Sequence, residues 1–253
     1  MFSCPSDQMS AAQLRSMLLA FAAATEPSIH TKVELDNYYS TITPRSIFFK
    51  NLPRNATLLD LGAGNGTMSV FKEWPSYKRP DIKMYATSLE KGELFDKYHG
   101  YEISNFEKQF PDFPGISLDA VLCAHFIEHL RSPERCIKWI SDRLTSGRRL
   151  YLEWPHAISK KLPSGAAVRA AGLNVTTVNF SDDRTHVEPW DFRRIKECLS
   201  GAQFQIESAG RIHMPYLSSA LRNCGKETGD QVYGTFSIWT LVGWAQYIVA
   251  SKI

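Results

Sequence analysis

The chain has 253 residues, of which 43% are hydrophobic, and a formal net charge of +3. Such a length suits one α/β domain or a small two-domain protein with a full core. So small a charge argues against a nucleic-acid partner, because the basic residues occur as pairs, Arg148-Arg149 and Arg193-Arg194, rather than as runs.

Residues 1–50 read as helical cover. Ala11 to Ala24 has helical composition and stops before Pro27. Within it, 17–24 also has the shape of a short secretory h-region. With Asp7 ahead of it and Arg15 as its one basic residue, an amphipathic helix is the better reading. Asp36 to Phe49 is rich in aromatic residues. A first strand is expected at 57–61, a helix at 67–74 ended by Pro75, and strands at 82–89, 102–106 and 118–124. A helix follows at 133–144, with Ser132 as N-cap and Pro133 at its first position. The fifth strand is expected at 148–154. Residues 156–190 form a long interruption of weak periodicity, the kind of insertion that serves as a lid or carries its own small elements. A helix at 191–202, a strand at 204–212 and a last strand at 244–251 complete the assignment, and nothing is assigned between 213 and 243. The apolar stretch from Phe236 to Ile253 is interrupted by Gly243 and Gln246. No stretch reaches the roughly 20 apolar residues of a membrane span.

Strands that alternate with helices imply a mostly parallel, doubly wound sheet. In such sheets ligands bind beyond the carboxyl ends of the strands. The five cysteines include no C-x-x-C pair, which suits reduced thiols and a cytoplasmic setting.

The most informative run is Leu58-Leu59-Asp60-Leu61-Gly62-Ala63-Gly64-Asn65-Gly66. An apolar strand ends in a turn where alternate glycines allow positive φ and close approach to a ligand. The spacing G-x-G-x-G departs from the dinucleotide fingerprint G-x-G-x-x-G. With its acid, the run resembles the first motif of class I S-adenosylmethionine-dependent methyltransferases, (L/V)LD(L/V)GxGxG. From about residue 35 onward, the order of signals is similar to that family. The resemblance implies an α/β, Rossmann-like, doubly wound sheet of seven mostly parallel strands. Its last strand would run antiparallel between strands five and six. It also implies a methyltransferase domain at 51–253 with a substrate-side insertion at about 156–190, behind the cover of 1–50.

The same resemblance implies S-adenosyl-L-methionine as cofactor and assigns residues to it. Asp60, Gly62, Ala63, Gly64 and Gly66 belong to the glycine motif. At the end of strand two the family usually places an acid for the ribose, because a carboxylate accepts two hydroxyl donors at once. Ser88 stands there instead, and Glu90, two residues later, is favoured. Asn105 and Phe106 match the adenine positions, although Phe106 reads equally well as plain core. His125 and Phe126 would wall the methyl-transfer side.

A further segment, Asp183-Arg184-Thr185-His186 followed by Trp190, resembles methyltransferases of bacterial polysaccharide and lipopolysaccharide assembly. It implies O-methylation of a sugar hydroxyl, with Arg184 and Trp190 facing the acceptor. The candidates for general base are His125, His156 and His186, with one of the latter two favoured. The runner-up acceptor is a quinone, lipid or other small metabolite. The aromatic residues at 38–49 and the apolar tail fit such an acceptor and leave peripheral membrane contact open. The non-enzyme alternative is a catalytically silent interaction module, toward which Ser88 leans. The sequence sets no oligomeric state.

His125-Phe126-Ile127-Glu128-His129 also spells H-x-x-E-H, the inverzincin motif. Zinc needs a third protein ligand, and the formal candidate, Glu207, falls inside the sixth strand. The motif begins where a strand ends rather than within a helix. No metal is therefore expected, and Glu128 and His129 are read as tied into local hydrogen bonds.

Overall fold

The computed structural model describes residues 29, 31–74 and 77–253. The helix and h-region expected before residue 25, and Cys4, lie outside them. The sheet has seven strands: β1 (Thr57–Leu61), β2 (Lys83–Ser88), β3 (Gly100–Ile103), β4 (Ala120–Ala124), β5 (Arg149–Pro155), β6 (Phe204–Arg211) and β7 (Ala245–Lys252). Their spatial order is β3-β2-β1-β4-β5-β7-β6. Pairing is parallel as far as β5, and β7 runs antiparallel to both neighbours. This is the doubly wound arrangement expected, with the last strand between the fifth and sixth.

Both faces of the central strands are apolar, so both must be covered. Leu59, Leu61, Val121, Cys123, Leu150 and Leu152 point into one core layer. Leu58, Met84, Ala86, Ala120, Leu122 and Tyr151 point into the other. The first layer is covered by α3 (Pro133–Arg143) and α5 (Phe192–Gly201). Both helices carry a narrow buried stripe: Cys136, Ile137 and Ile140 on one, Ile195 and Leu199 on the other. Ser132 occupies the N-cap position of α3 without capping it. Its hydroxyl donates to the Glu134 carboxylate at 3.0 Å instead of accepting a backbone N–H.

Two further local readings change. The segment after the glycine turn is a 3-10 helix, Thr67–Lys72, rather than an α-helix. Its first N–H bond, Ser69 to the carbonyl of Gly66, already spans three residues, and the Ser69 hydroxyl donates to the same oxygen, which favours the tighter winding. β3 starts and ends earlier than expected, so Asn105 and Phe106 fall in the loop beyond it.

Around the carboxyl ends stand α1 (Lys32–Ile42) and α2 (Pro44–Lys50), and a helical hairpin absent from the sequence reading, α6 (Pro215–Thr228) and α7 (Gln231–Val242). A Cβ added to Gly225 of α6 would lie 2.9 Å from the Gly234 nitrogen of α7. Gly225 thus lets the helices touch at their backbones, while Gly234 makes room for the Asn174 carbonyl, 2.0 Å from where its Cβ would lie. The long insertion carries a short helix, α4 (Gly165–Ala170), and is fastened to the hairpin. Thr176 N–H donates to Thr235 Oγ1 at 2.8 Å, and the Trp239 indole N–H donates to the Thr177 carbonyl at 2.8 Å. Among the described residues no helix is long and apolar enough to cross a membrane, and Cys123, Cys136, Cys198 and Cys224 are free thiols.

Candidate active site

The glycine turn is built from the sheet outward. Gly62 and Ala63 N–H groups donate to the Thr87 carbonyl at 3.0 and 2.9 Å, so the turn after β1 is fastened to the end of β2. Gly62, Gly64 and Gly66 all have positive φ, but each makes room for something different. A Cβ on Gly62 would lie 2.4 Å from Phe126 Cδ2, and one on Gly66 would lie 3.1 Å from Phe95 and Tyr98. Only Gly64 opens onto free space, with nothing within 4 Å. The segment after β2 lies over the same turn: Leu94 N–H donates to the Asn65 carbonyl at 2.9 Å. Ser88, which ends β2, is half-buried, and Glu90 is exposed.

Asp60 supports the turn from beneath. Its carboxyl is 2% exposed and accepts a 2.6 Å bond from the Tyr98 hydroxyl, which also lies 3.2 Å from the Gly66 carbonyl. Burial pushes the Asp60 carboxyl up to about 6, against the opposing pull of Tyr98 and Arg45. Asn105 is exposed, and its side-chain oxygen accepts from Glu107 N–H at 3.0 Å, shaping the loop after β3. Phe106 is core. Its ring lies 5.0 Å from Phe126, 5.3 Å from Phe110 and 5.7 Å from Trp139 between centroids. Phe126 stands between it and Gly62, which corrects the adenine contact assigned to Phe106.

Beyond β4 and β5 lies a buried charge cluster that the sequence did not reveal. His125 follows β4 directly with φ +55, an unusual backbone for a non-glycine residue that costs about 1 kcal/mol or more. Its backbone N–H continues the ladder to the Glu153 carbonyl at 2.8 Å. Its ring sits between two carboxylates: Nε2 is 2.8 Å from Glu153 Oε1, and Nδ1 is 3.5 Å from Glu128 Oε1. Neither contact follows the ring's N–H directions, so they act as charge attractions rather than aligned hydrogen bonds. Burial alone pulls the imidazole down, and the two carboxylates outweigh it to hold His125 above its ordinary value. Glu153 also receives the Arg45 guanidinium through both of its oxygens and the Tyr151 hydroxyl. Burial raises a carboxyl, but Arg45 and His125 prevail and hold Glu153 well below the usual carboxylate range.

Arg45 and Glu153 form the polar wall of a cavity of about 350 Å³. Thr67 and Met68, just past the glycine turn, line it on one side. Tyr39, Phe71, Trp74, Phe236 and Trp239 supply its aromatic surface. Trp239 is held flat against Trp244, with centroids 4.0 Å apart and planes 2° from parallel, and both rings flank His125.

The other expected acceptor-side residues do not line this cavity. His156 begins the 3-10 turn Ala157–Lys161, where its Nδ1 accepts from Ile158 N–H at 3.1 Å. Burial and the nearby Arg211 lower its imidazole. His186 is stacked on Phe180, with Nδ1 2.7 Å from the Phe180 carbonyl. Arg184 is exposed. Trp190 is 7% exposed and pinned inside the core: its indole N–H donates to the Ile127 carbonyl and its own carbonyl accepts from Trp154. The substrate contact assigned to Trp190 is therefore corrected to a core role. Glu207, the formal zinc candidate, lies at the irregularity in β6 and pairs with Arg149 at 2.6 Å.

The methyltransferase-domain family profile matches residues 34–209. The chain belongs to that family. No curated protein sequence matches it. Among solved structures the fold resembles a protein of Bacillus halodurans assigned as a methyltransferase, with TM-score 0.52 and 17% identity over 81% of this chain and 96% of that one. It also resembles a SAM-dependent methyltransferase of Aquifex aeolicus, with TM-score 0.50 and 11% identity over 92% and 98% of the two chains. A third likeness, TM-score 0.51 and 15% identity, is to a Haemonchus contortus phosphoethanolamine N-methyltransferase in complex with S-adenosylhomocysteine, covering 82% of this chain and 52% of that one. The chain is thus a class I methyltransferase, an enzyme whose cofactor is S-adenosylmethionine. The open space at Gly64 and the cavity beyond Thr67 fit that cofactor.

Proposed function

We propose that this methyltransferase transfers a methyl group to a hydroxyl on a small, ring-shaped, mainly apolar acceptor seated in the cavity beside Glu153. When bound, S-adenosylmethionine supplies the methyl group from its sulfonium. The turn at Gly62–Gly66 would hold the amino-acid part of that cofactor, and Ser88 and Glu90 its ribose. Asp60 acts on it through the turn rather than by contact.

The observation that carries the acceptor assignment is the make-up of the cavity wall, in which five aromatic side chains surround one ion pair, Arg45–Glu153. Thr43, Thr235 and Thr240 all line the cavity, yet each hydroxyl already donates within the chain: to Ser46 at 2.8 Å, to the Gln231 carbonyl at 2.8 Å and to the Phe236 carbonyl at 2.7 Å. A sugar carries several hydroxyls and finds no hydrogen-bond donor in these three side chains, whose oxygens can only accept. A flat metabolite with one reacting hydroxyl needs aromatic walls and a single acceptor. The five aromatic side chains and the Glu153 carboxylate supply these. This favours the hydroxylated quinone or phenol type over the sugar type.

In-line displacement depends above all on positioning. Glu153, ionised and fixed by Arg45, would accept a hydrogen bond from the acceptor hydroxyl, aim the oxygen's lone pair at the methyl, and take up the hydroxyl proton, which turns strongly acidic as the oxygen–methyl bond forms and the sulfonium–methyl bond breaks. Trp239 would set the plane of the ring. A tritiated methyl-transfer assay over hydroxylated quinones, phenols and sugar nucleotides tests the assignment. Label in the quinone or phenol set is expected, and label in sugars alone would overturn it.

A further inference from the structure

We propose that Glu128, His129 and His186 form a binding site for one divalent transition-metal ion of the zinc class. One ligand atom from each residue lies within 4.8 Å of the others. The tetrahedral edge of a zinc site with Zn–N and Zn–O bonds near 2.0–2.1 Å is about 3.4 Å, so closure requires side-chain shifts of about an ångström. The two segments are already joined, because the Glu128 carbonyl accepts from Val187 N–H at 2.8 Å and from Glu188 N–H at 3.3 Å.

Three observations point to a cation. First, Glu128 is wholly buried, and neither of its carboxylate oxygens has a hydrogen-bond partner among the described residues. A buried carboxylate left this way is costly. The nearest cation, His125, is 3.5 Å from Glu128 and closer, at 2.8 Å, to Glu153.

Second, both histidines are clamped as metal ligands are. His186 Nδ1 faces the Phe180 carbonyl at 2.7 Å, and a carbonyl only accepts, so Nδ1 carries the proton and Nε2 the lone pair. Thr185 donates its hydroxyl hydrogen to Asp183 at 2.6 Å. Its oxygen, 2.9 Å from His129 Nδ1, must therefore accept from that ring, which leaves a lone pair on His129 Nε2 as well. A carbonyl or a carboxylate-backed hydroxyl that accepts from the distal N–H is what orients and strengthens a metal-binding imidazole.

Third, two imidazoles and one carboxylate are a donor set suited to Zn²⁺, Co²⁺ or Mn²⁺ rather than Mg²⁺ or Ca²⁺. Three protein ligands leave a position for water. The H-x-x-E-H pattern lacked a plausible third ligand in the sequence. His186, 57 residues beyond His129, stands where Glu207 does not.

The site stands on these residues alone and does not depend on the acceptor reading. Its test is metal binding to the full chain after chelator treatment. Co²⁺ is titrated with its visible d–d absorption as readout, followed by Zn²⁺ competition. One equivalent is expected, displaced by equimolar Zn²⁺ and not by equimolar Mg²⁺. Thr185→Val, which leaves all three ligands in place, is expected to weaken binding 10–100-fold, and His186→Gln to abolish the cobalt spectrum. Circular dichroism checks that each variant is folded. Absence of saturable one-equivalent binding, or binding unchanged in folded Thr185→Val and His186→Gln, would overturn the proposal.

Discussion

His125 Nε2 lies 2.8 Å from Glu153 Oε1, across the adjoining ends of β4 and β5. That one contact joins the segment following β4 to the cavity wall. It explains why His125 holds a left-handed backbone: the turn aims the ring sideways at the neighbouring strand instead of outward. Arg45 completes the arrangement from α2, so three elements distant in sequence meet at one carboxylate.

Replacing Arg45 with methionine should leave Glu153 buried with half of its compensation gone. Breaking a buried ion pair from one side costs roughly 3–5 kcal/mol. Urea denaturation should show a loss of that order, and Glu153→Gln combined with Arg45→Met should recover part of it. If the double variant is no more stable than Arg45→Met alone, the pair is not what holds this corner.

Asp60 gives a pH signature. Its folded carboxyl, raised to about 6 from an ordinary 3.8, keeps its proton where the unfolded chain has lost it. The folded state therefore binds the extra proton, and stability falls as pH rises from about 4 to about 6, then levels off. Asp60→Asn, which still accepts from Tyr98, should flatten that part of the profile. It should gain about 1–3 kcal/mol at pH 8, an order-of-magnitude figure from the size of the shift. Thermal denaturation of both proteins across pH 4–8 measures it, and parallel profiles would contradict the assignment.

The glycines of the turn should separate by role. Gly62→Ala drives a Cβ into the Phe126 ring and should unfold or markedly destabilise the chain. Gly64→Ala meets no atom and should cost only about 1 kcal/mol for its positive φ, while weakening S-adenosylhomocysteine binding at least tenfold. Equal stability losses in the two variants would refute this division.

Much of the fold was legible because its signals are local. The apolar run of β1, the abrupt glycine turn and the alternation of strands with helices each lie within a few residues and imply a doubly wound sheet; the seven-strand order came with the resemblance to the methyltransferase family. The α6–α7 hairpin was not legible. Leu217, Leu221 and Cys224 do mark a buried stripe on α6, but Gly225 and Gly234 owe their places to close contacts with α7 and with the Asn174 carbonyl, which only the folded chain makes. α7, apolar around much of its circumference, offers no single stripe. The site divided the same way. The glycine turn could be placed from its motif, whereas Arg45 and Glu153 stand 108 residues apart. The one hint was a carboxylate inside the apolar run Leu150–Trp154. His156 and His186 were plausible as strand-end and loop histidines, but their partners, Ile158 and Phe180, emerge only from the folded chain.

Trp239→Phe should keep the stack on Trp244 but leave the Thr177 carbonyl without its donor. A stability loss of about 1 kcal/mol is expected. Once an acceptor is identified, its KM should rise several-fold, with S-adenosylhomocysteine affinity unchanged. An unchanged KM would place the acceptor elsewhere.

Glu153→Gln removes the anionic partner proposed for the acceptor hydroxyl, and misdirected attack should lower kcat/KM about 100-fold. Turnover within a factor of two of the parent protein would exclude that role.

The central claim is that the turn at Gly62–Gly66 holds the cofactor while the Glu153 cavity takes the acceptor. Calorimetric titration with S-adenosylhomocysteine tests it most directly, on the parent chain, Gly64→Val and Glu153→Gln. Binding at one equivalent is predicted for the parent and for Glu153→Gln, and its loss in a folded Gly64→Val. No binding by the parent chain, or undiminished binding by Gly64→Val, would contradict it.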